Sequence, residues 1–279
     1  MGKNDIFQSI SNLSPEAIQK IVDRLEFRGK DPVFVKLRDA YIDRMDLASC
    51  NRILDLGCGT GVVARALAER DDFSGEIVGV DLSDALIDAA KHLSSEEGLA
   101  ERIAFRVGDS HALDDPDSSY DAVLAHTLVS HVTDPASVVA NAARVVAPGG
   151  TIAIFDGDYA SLTFGAGDCE LNATMVNGIL DAVVANPFVM RDLPRLLAAM
   201  DLEIIDFLPE LHAEAGHGSF FANMAESYVP MAVKAGTVSD QAGADWLSRQ
   251  LSASEAGIFF GSCNYYAYLT RNPDRSQAP

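Results

Sequence analysis

Asp55, Asp81 and Asp109 each close a short apolar stretch in the first half of this chain. The first stands in Ile53-Leu54-Asp55-Leu56-Gly57-Cys58-Gly59-Thr60-Gly61, with three glycines at alternate positions. A buried strand that breaks into such a loop and enters a helix cradles a nucleotide. Glycine permits the tight turns and lets a ligand approach where a Cβ would stand. Asp55 narrows the choice of ligand. A pyrophosphate at the helix N-terminus would be opposed by a carboxylate two residues before the first glycine. A ligand with a cationic end and no phosphate suits the loop better. Asp81 lies 24 residues after Gly57, close to the spacing at which an acid accepts from ribose hydroxyls. Asp109 can accept from an exocyclic adenine amine. Turn and cap chemistry explains any one of these aspartates, but poorly explains all three together with the loop.

These residues need a sheet to hold them. The sequence predicts strands at 53–56, 76–80, 103–107, 120–125 and 151–155, separated by helices at 62–70, 83–92 and 135–147. That alternation implies parallel pairing with right-handed crossovers. Ligands then bind beyond the carboxyl ends of the strands, where the three aspartates, His126, Asp156 and Asp158 all fall. Ser14-Pro15-Glu16 and Asp31-Pro32 open two earlier helices. Beyond Asp156 the expectation is helices at 170–184, 192–200, 219–234 and 239–251, and strands at 202–208 and 258–269. The domain reading is an N-terminal helical cap over 1–50, a core over 51–271 with a lid insertion at about 160–235, and a disordered tail over 272–279.

Composition removes several classes. A chain of 279 residues with 48% hydrophobic content can fill one large core. The net charge is −20, the first fifty residues are charge-balanced, and no basic run occurs. Nucleic-acid binding needs several cations on one face, so no nucleic-acid partner is expected. Cys50, Cys58, Cys169 and Cys263 show neither metal-ligand nor redox spacing. Scattered thiols, no signal-peptide pattern and no membrane-length apolar stretch lead us to expect a cytoplasmic chain without a membrane partner. Monomer and homodimer are equally open.

The chain resembles a class I S-adenosylmethionine-dependent methyltransferase. The matching motifs are Asp55 to Gly61, Val80-Asp81, Gly108-Asp109, Tyr120-Asp121-Ala122-Val123 and Pro148-Gly149-Gly150, in order over about a hundred residues. The resemblance implies an α/β, Rossmann-like, seven-stranded and mostly parallel sheet with its last strand antiparallel. It also implies cofactor contacts at Asp55, Leu56, Gly57, Cys58, Gly59 and Gly61, at Asp81 and Leu82, at Gly108, Asp109 and Ser110, and at His126. Asp55 and the loop would face the methionine end, Asp81 the ribose and Asp109 the adenine. S-adenosylmethionine carries an ammonium and a sulfonium and no phosphate, as the charge argument requires.

The acceptor is expected to be a small organic molecule, methylated on O, N or C, in secondary-metabolite or cofactor biosynthesis. His131 is the first candidate for a base that takes a hydroxyl proton, and His126 the second; structural roles are the alternative for both. Asp156, Asp158 and Tyr159 are candidate acceptor contacts. His212 and His217, beside Gly216 and Gly218, suggest a hinge, with surface placement favoured over catalysis. Arg28 would reach the cofactor carboxylate if the N-terminal helices fold over the site; a solvated helix end is the favoured reading. The aromatics at 259, 260, 265 and 266 read as core. No metal site is expected: HExxH, C-x-x-C and Gly-x-Ser-x-Gly are all missing. Two other enzyme readings stay open. One is an S-adenosylmethionine-binding enzyme of this fold catalysing a non-methyl reaction such as a cyclisation. The other is a nicotinamide oxidoreductase, weakened because Val62 stands where its third glycine belongs.

Overall fold

Side-chain caps start most of the helices. In the computed structural model, which describes residues 14–274, Ser14 accepts from the Ala17 amide and Pro15 opens helix α1, Pro15–Lys30. Asp31 ends α1 and caps α2, Pro32–Ile42, by accepting from the Val33 and Phe34 amides. One residue therefore joins the two helices with no loop. A 3₁₀ turn at Leu47–Ser49 leads into the sheet.

The sheet has seven strands in the order β3-β2-β1-β4-β5-β7-β6. Strands β1 (Arg52–Leu56), β2 (Glu76–Asp81), β3 (Ile103–Val107), β4 (Tyr120–His126) and β5 (Val146–Phe164) are parallel. Helices α3 (Val62–Ala68), α4 (Asp84–Glu96) and α5 (Pro135–Val145) make the crossovers. The last strand, β7 (Phe259–Arg271), inserts antiparallel between β5 and β6 (Glu203–Gly216). Helices α6 (Cys169–Val183), α7 (Val189–Ala199), α8 (Phe220–Ala235) and α9 (Asp240–Glu255) complete the chain. Among the described residues no helix is long and apolar enough to cross a membrane.

Strand alternation sets two cores. Ile53, Phe155 and Tyr265 belong to the core shared with α2, α3, α6, α8 and α9. Leu54, Leu56 and Ile152 belong to the opposite core, closed by α5 and α7. Burying both faces explains the unbroken apolar runs in β2 and β4.

Two strands run far past their predicted ends. Expected over 151–155, β5 runs on to Phe164 because β7 pairs with it as far as Phe164↔Gly261, with a register shift after Asp158. Expected over 202–208, β6 runs to Gly216, paired with β7 throughout. Pro209 marks an end in the sequence, yet β6 is an edge strand, where a missing amide donor is tolerated. The β6 stretch of the 160–235 segment is thus sheet. Pro194 similarly lies inside α7, which starts earlier than predicted. The Met190 carbonyl four residues before it accepts instead from the Tyr268 hydroxyl at 3.1 Å. Helix α8 is capped at a distance: the Glu214 carboxylate on β6 accepts from the Ser219, Phe220 and Phe221 amides. Asn272, expected to open a tail, is instead held to the sheet: it exchanges backbone hydrogen bonds with Gly149 and Gly150. Residues 1–13 and 275–279 lie outside the described residues.

Candidate active site

The carboxyl ends of β1, β2 and β4 open into a cavity of about 400 Å³. That volume falls within the range of small-ligand sites, about 300–1,000 Å³. Gly57, Gly59 and Gly61 turn the chain out of β1 with φ of 71°, 53° and 81°, values that non-glycine residues rarely hold. The Gly57 and Cys58 amides donate to the Val80 carbonyl, fastening the loop to the end of β2.

Asp81 does two things there. One of its oxygens accepts from the Gly59 amide and the other from the Ser83 amide, both at 2.9 Å. Burial raises its pKa against these bonds. Asp55 is 1% exposed and accepts from the Ala64 amide at the start of α3. Burial foremost, with Asp81 nearby, pushes its carboxyl up to about 7. Asp109 lies at the rim and accepts from the His111 amide at 2.9 Å, with His111 Nδ1 at 2.7 Å. Against partial burial, these bonds hold its carboxyl below the usual range. The Asp134 amide donates to His111 Nε2, so Nε2 is the acceptor and Nδ1 carries the proton toward Asp109. His111 was not singled out in the sequence, although it stands two residues after Asp109 in the same loop.

Of the residues expected to touch a cofactor, Asp55, Gly57, Cys58, Gly59, Asp81, Leu82, Gly108, Asp109, Ser110 and His126 line the cavity. Leu56 and Gly61 do not. Leu56 is fully buried in the core on the opposite sheet face, as alternation from Asp55 requires. Gly61 is the N-cap of α3, and a Cβ there would stand 2.6 Å from the Phe105 ring. Its role is to let the backbone pass that ring.

Helix α1 crosses over the glycine loop. Glu26 accepts from the Thr60 hydroxyl at 2.6 Å and from Arg65 at 2.7 Å. Leu25 lies 3.4 Å from where a Gly59 Cβ would stand. Arg28, favoured above as a solvated helix end, instead turns inward, because the latch fixes that face of α1 toward the cavity. Its Nε and Nη2 are buried without hydrogen-bond partners. Burial works against its charge, while Tyr159, Tyr265, Asp156 and Tyr228 hold it in place.

His126 ends β4, shares a 2.9 Å hydrogen bond with Tyr41 through Nδ1, and stacks on Phe155. Burial first, then Arg28 and Arg38, push its pKa well below the usual imidazole value. A ring so depressed is a weak proton acceptor. Thr127 follows in a left-handed conformation, φ 57°, which is strained for a β-branched residue. It too lines the cavity. His131 lines it as well, is 8% exposed, and sits edge-on to Tyr159. Behind it lies Asp156, whose carboxyl is raised by burial and lowered by the His131 charge. Asp156 also accepts from the Ser130 and Gly157 amides.

Other expectations change. Tyr159 lines the cavity, whereas Asp156 and Asp158 do not. Asp158 is ion-paired with Arg191, because alternation on the lengthened β5 turns it away from Tyr159. His212 is no hinge residue: it lies on β6, 2% exposed, among Phe34, Phe220 and Phe221. His217 is exposed and bonded to the Ser254 carbonyl. Phe259 and Tyr265 are core, but Phe260 is 40% exposed. Among the described residues no group of three or more His, Cys, Asp or Glu could hold a metal ion.

Residues 53–150 match the family described as a methyltransferase domain. An uncharacterized 37.1 kDa transposon protein of Streptomyces fradiae is 27% identical over 84% of this chain and 66% of its own length. The 27-O-demethylrifamycin SV methyltransferase of Amycolatopsis mediterranei is 31% identical over 54% of this chain and 53% of its own. A ubiquinone biosynthesis O-methyltransferase of Saccharophagus degradans is 38% identical over 42% and 48%. The chain thus spans about half to two thirds of these relatives. Among solved structures, a candidate methyltransferase of Bacillus halodurans superposes with TM-score 0.62 at 17% identity, covering 85% of this chain and 98% of its own. The cyclase SpnF superposes with TM-score 0.55 at 20% identity, covering 86% and 81%. The family match thus covers residues 53–150, the segment that carries the glycine loop and the three strand-end aspartates.

Proposed function

We propose that this protein transfers a methyl group from S-adenosylmethionine to an O, N or C atom of a small organic molecule in secondary-metabolite or cofactor biosynthesis. The observation that carries the reading is a single cavity. It joins three strand-end carboxylates and a left-handed glycine loop to a compartment walled by His131, Tyr159, Phe220 and Tyr228.

The residues present fit the cofactor. Gly59 leaves its Cβ position open but for Leu25, so a ligand can lie on the backbone there. Asp55 offers a buried carboxyl to a cation, Asp81 an acceptor for hydroxyls and Asp109 one for an amine. When bound, S-adenosylmethionine supplies a methyl on a sulfonium. The chain supplies alignment and a dry compartment, which account for most of the acceleration in such reactions. His131 is the group positioned to take a proton from an acceptor hydroxyl. His126 shapes the floor.

The test is incubation with methyl-labelled S-adenosylmethionine and a panel of hydroxylated and amino acceptors. Label in a product heavier by one methylene unit supports the reading. An unlabelled product isomeric with its acceptor overturns it in favour of a cyclisation.

A further inference from the structure

The strongest unexplained feature of the cavity is its positive charge. In a chain of net charge −20, Arg24 and Arg28 stand one turn apart on the inner face of α1 and line the cavity. Arg24 Nη1 and Arg28 Nε and Nη2 are buried with no hydrogen-bond partner. Buried donors left unpaired are costly, the more so when charged. A site that keeps three of them is built for an acceptor oxygen that arrives with a ligand.

The surroundings say which ligand. Arg24 lies over the Tyr228 ring at 3.7 Å and Arg28 over Phe34 at 4.4 Å. Arg28 also faces the Tyr265 ring at 5.9 Å, so the rings against the pair come from α2, α8 and β7. The guanidinium pair therefore serves the compartment beyond the nucleotide half. Aromatic rings behind the cations leave their forward edges for a planar anion, a geometry in which arginine binds carboxylates through two parallel bonds.

We propose that the acceptor is an organic anion, a carboxylate on an aromatic or similarly flat apolar body, and that Arg24 and Arg28 bind its carboxylate. This rests on the methyl-transfer reading of the same site. The arginines hold the anion while the apolar body lies against Phe220, Met224 and Tyr228. They are binding and specificity residues and take no proton.

The test uses the full chain saturated with S-adenosylhomocysteine, after its binding has been measured by calorimetry. Benzoate, 2-naphthoate and indole-3-acetate are titrated in parallel with their neutral amides. At least one carboxylate is expected to bind about tenfold or more tightly than its amide. Arg24→Met should remove that preference, and Arg24→Lys should restore part of it. If the amides bind equally well, or no carboxylate binds, the inference fails while the methyl-transfer reading stands. If Arg24→Met and Arg28→Met weaken S-adenosylhomocysteine and leave the carboxylate unaffected, the pair serves the cofactor and the inference fails. If S-adenosylhomocysteine does not bind the unmodified chain, both fail.

Discussion

Asp55 is the residue whose chemistry differs most from its sequence reading. The charge argument treats it as a standing carboxylate, yet burial first, with Asp81 close by, raises it to about 7. Below that pH it is largely neutral, and a cationic ligand end must draw the proton off. Affinity for S-adenosylhomocysteine should therefore climb as pH rises from 5 to about 7, by at most about tenfold per unit, and level off above. Calorimetry in buffers of different ionisation enthalpy should record proton release on binding. Asp55→Asn should flatten the profile, and an unchanged slope in that variant would rule Asp55 out as its source. The stability sign is opposite. A carboxyl raised from 3.8 to about 7 on folding costs nothing below the unfolded value, and stability is lost as pH climbs between the two. Asp55→Asn should thus melt higher than the parent at pH 8 and close to it at pH 4.

The two histidines separate at the same scale. The sequence brings both His126 and His131 to the end of β4 and offers nothing physical that separates them. What divides them, burial beside two arginines for one and an aspartate behind the other, arises from contacts remote in sequence. His131→Ala is expected to lower kcat with a hydroxyl acceptor about a hundredfold or more, leaving S-adenosylhomocysteine affinity within about twofold. Equal losses in both would reassign it to binding.

Among the elements, the helices opened by a capping side chain were legible at their starts. Ser14-Pro15, Asp31-Pro32, Ser83 and Asp134-Pro135 announce their helices because a cap is a local interaction. The long ends of β5 and β6 were not, because β7 supplies their partners from the far end of the chain. The Glu214 cap on α8 was hidden for the same reason. Two predictions belong here. Glu26→Ala removes the latch between α1 and the glycine loop and leaves the buried Arg65 with the Thr60 carbonyl and its outer partner, Glu97, but without its buried carboxylate. It should cost about 3 kcal/mol in denaturant unfolding and weaken S-adenosylhomocysteine. A loss within experimental scatter would mean that apolar contact alone holds α1. Tyr268→Phe strips the Met190 carbonyl of its substitute donor beside Pro194. The expected cost is about 1 kcal/mol, with faster amide exchange along α7 as the local sign.

At the scale of the molecule, the cavity lining that comes from the strand ends was almost entirely readable. Its parts lie within about sixty residues and follow strand ends in order. The rest was not, because α1, α2, β5 and α8 contribute to it from across the chain. Arg28 shows the difficulty: nothing local to it tells an inward guanidinium from a solvated one. Binding of S-adenosylhomocysteine should slow hydrogen exchange in α1 and in the loop 57–61 together. Protection of the loop alone would show that α1 is not part of the ligand's enclosure.

Helix α1 meets the glycine loop through Leu25 and Glu26 and lines the cavity with Arg24 and Arg28. The two ligands thus share one wall. Whichever arrives first bears the entropy of fixing that helix, and the second does not bear it again. Donor and acceptor are then cooperative without touching each other. The gain in acceptor affinity when S-adenosylhomocysteine is present must equal the gain measured in the reverse order. Its size measures the freedom α1 has in the empty chain.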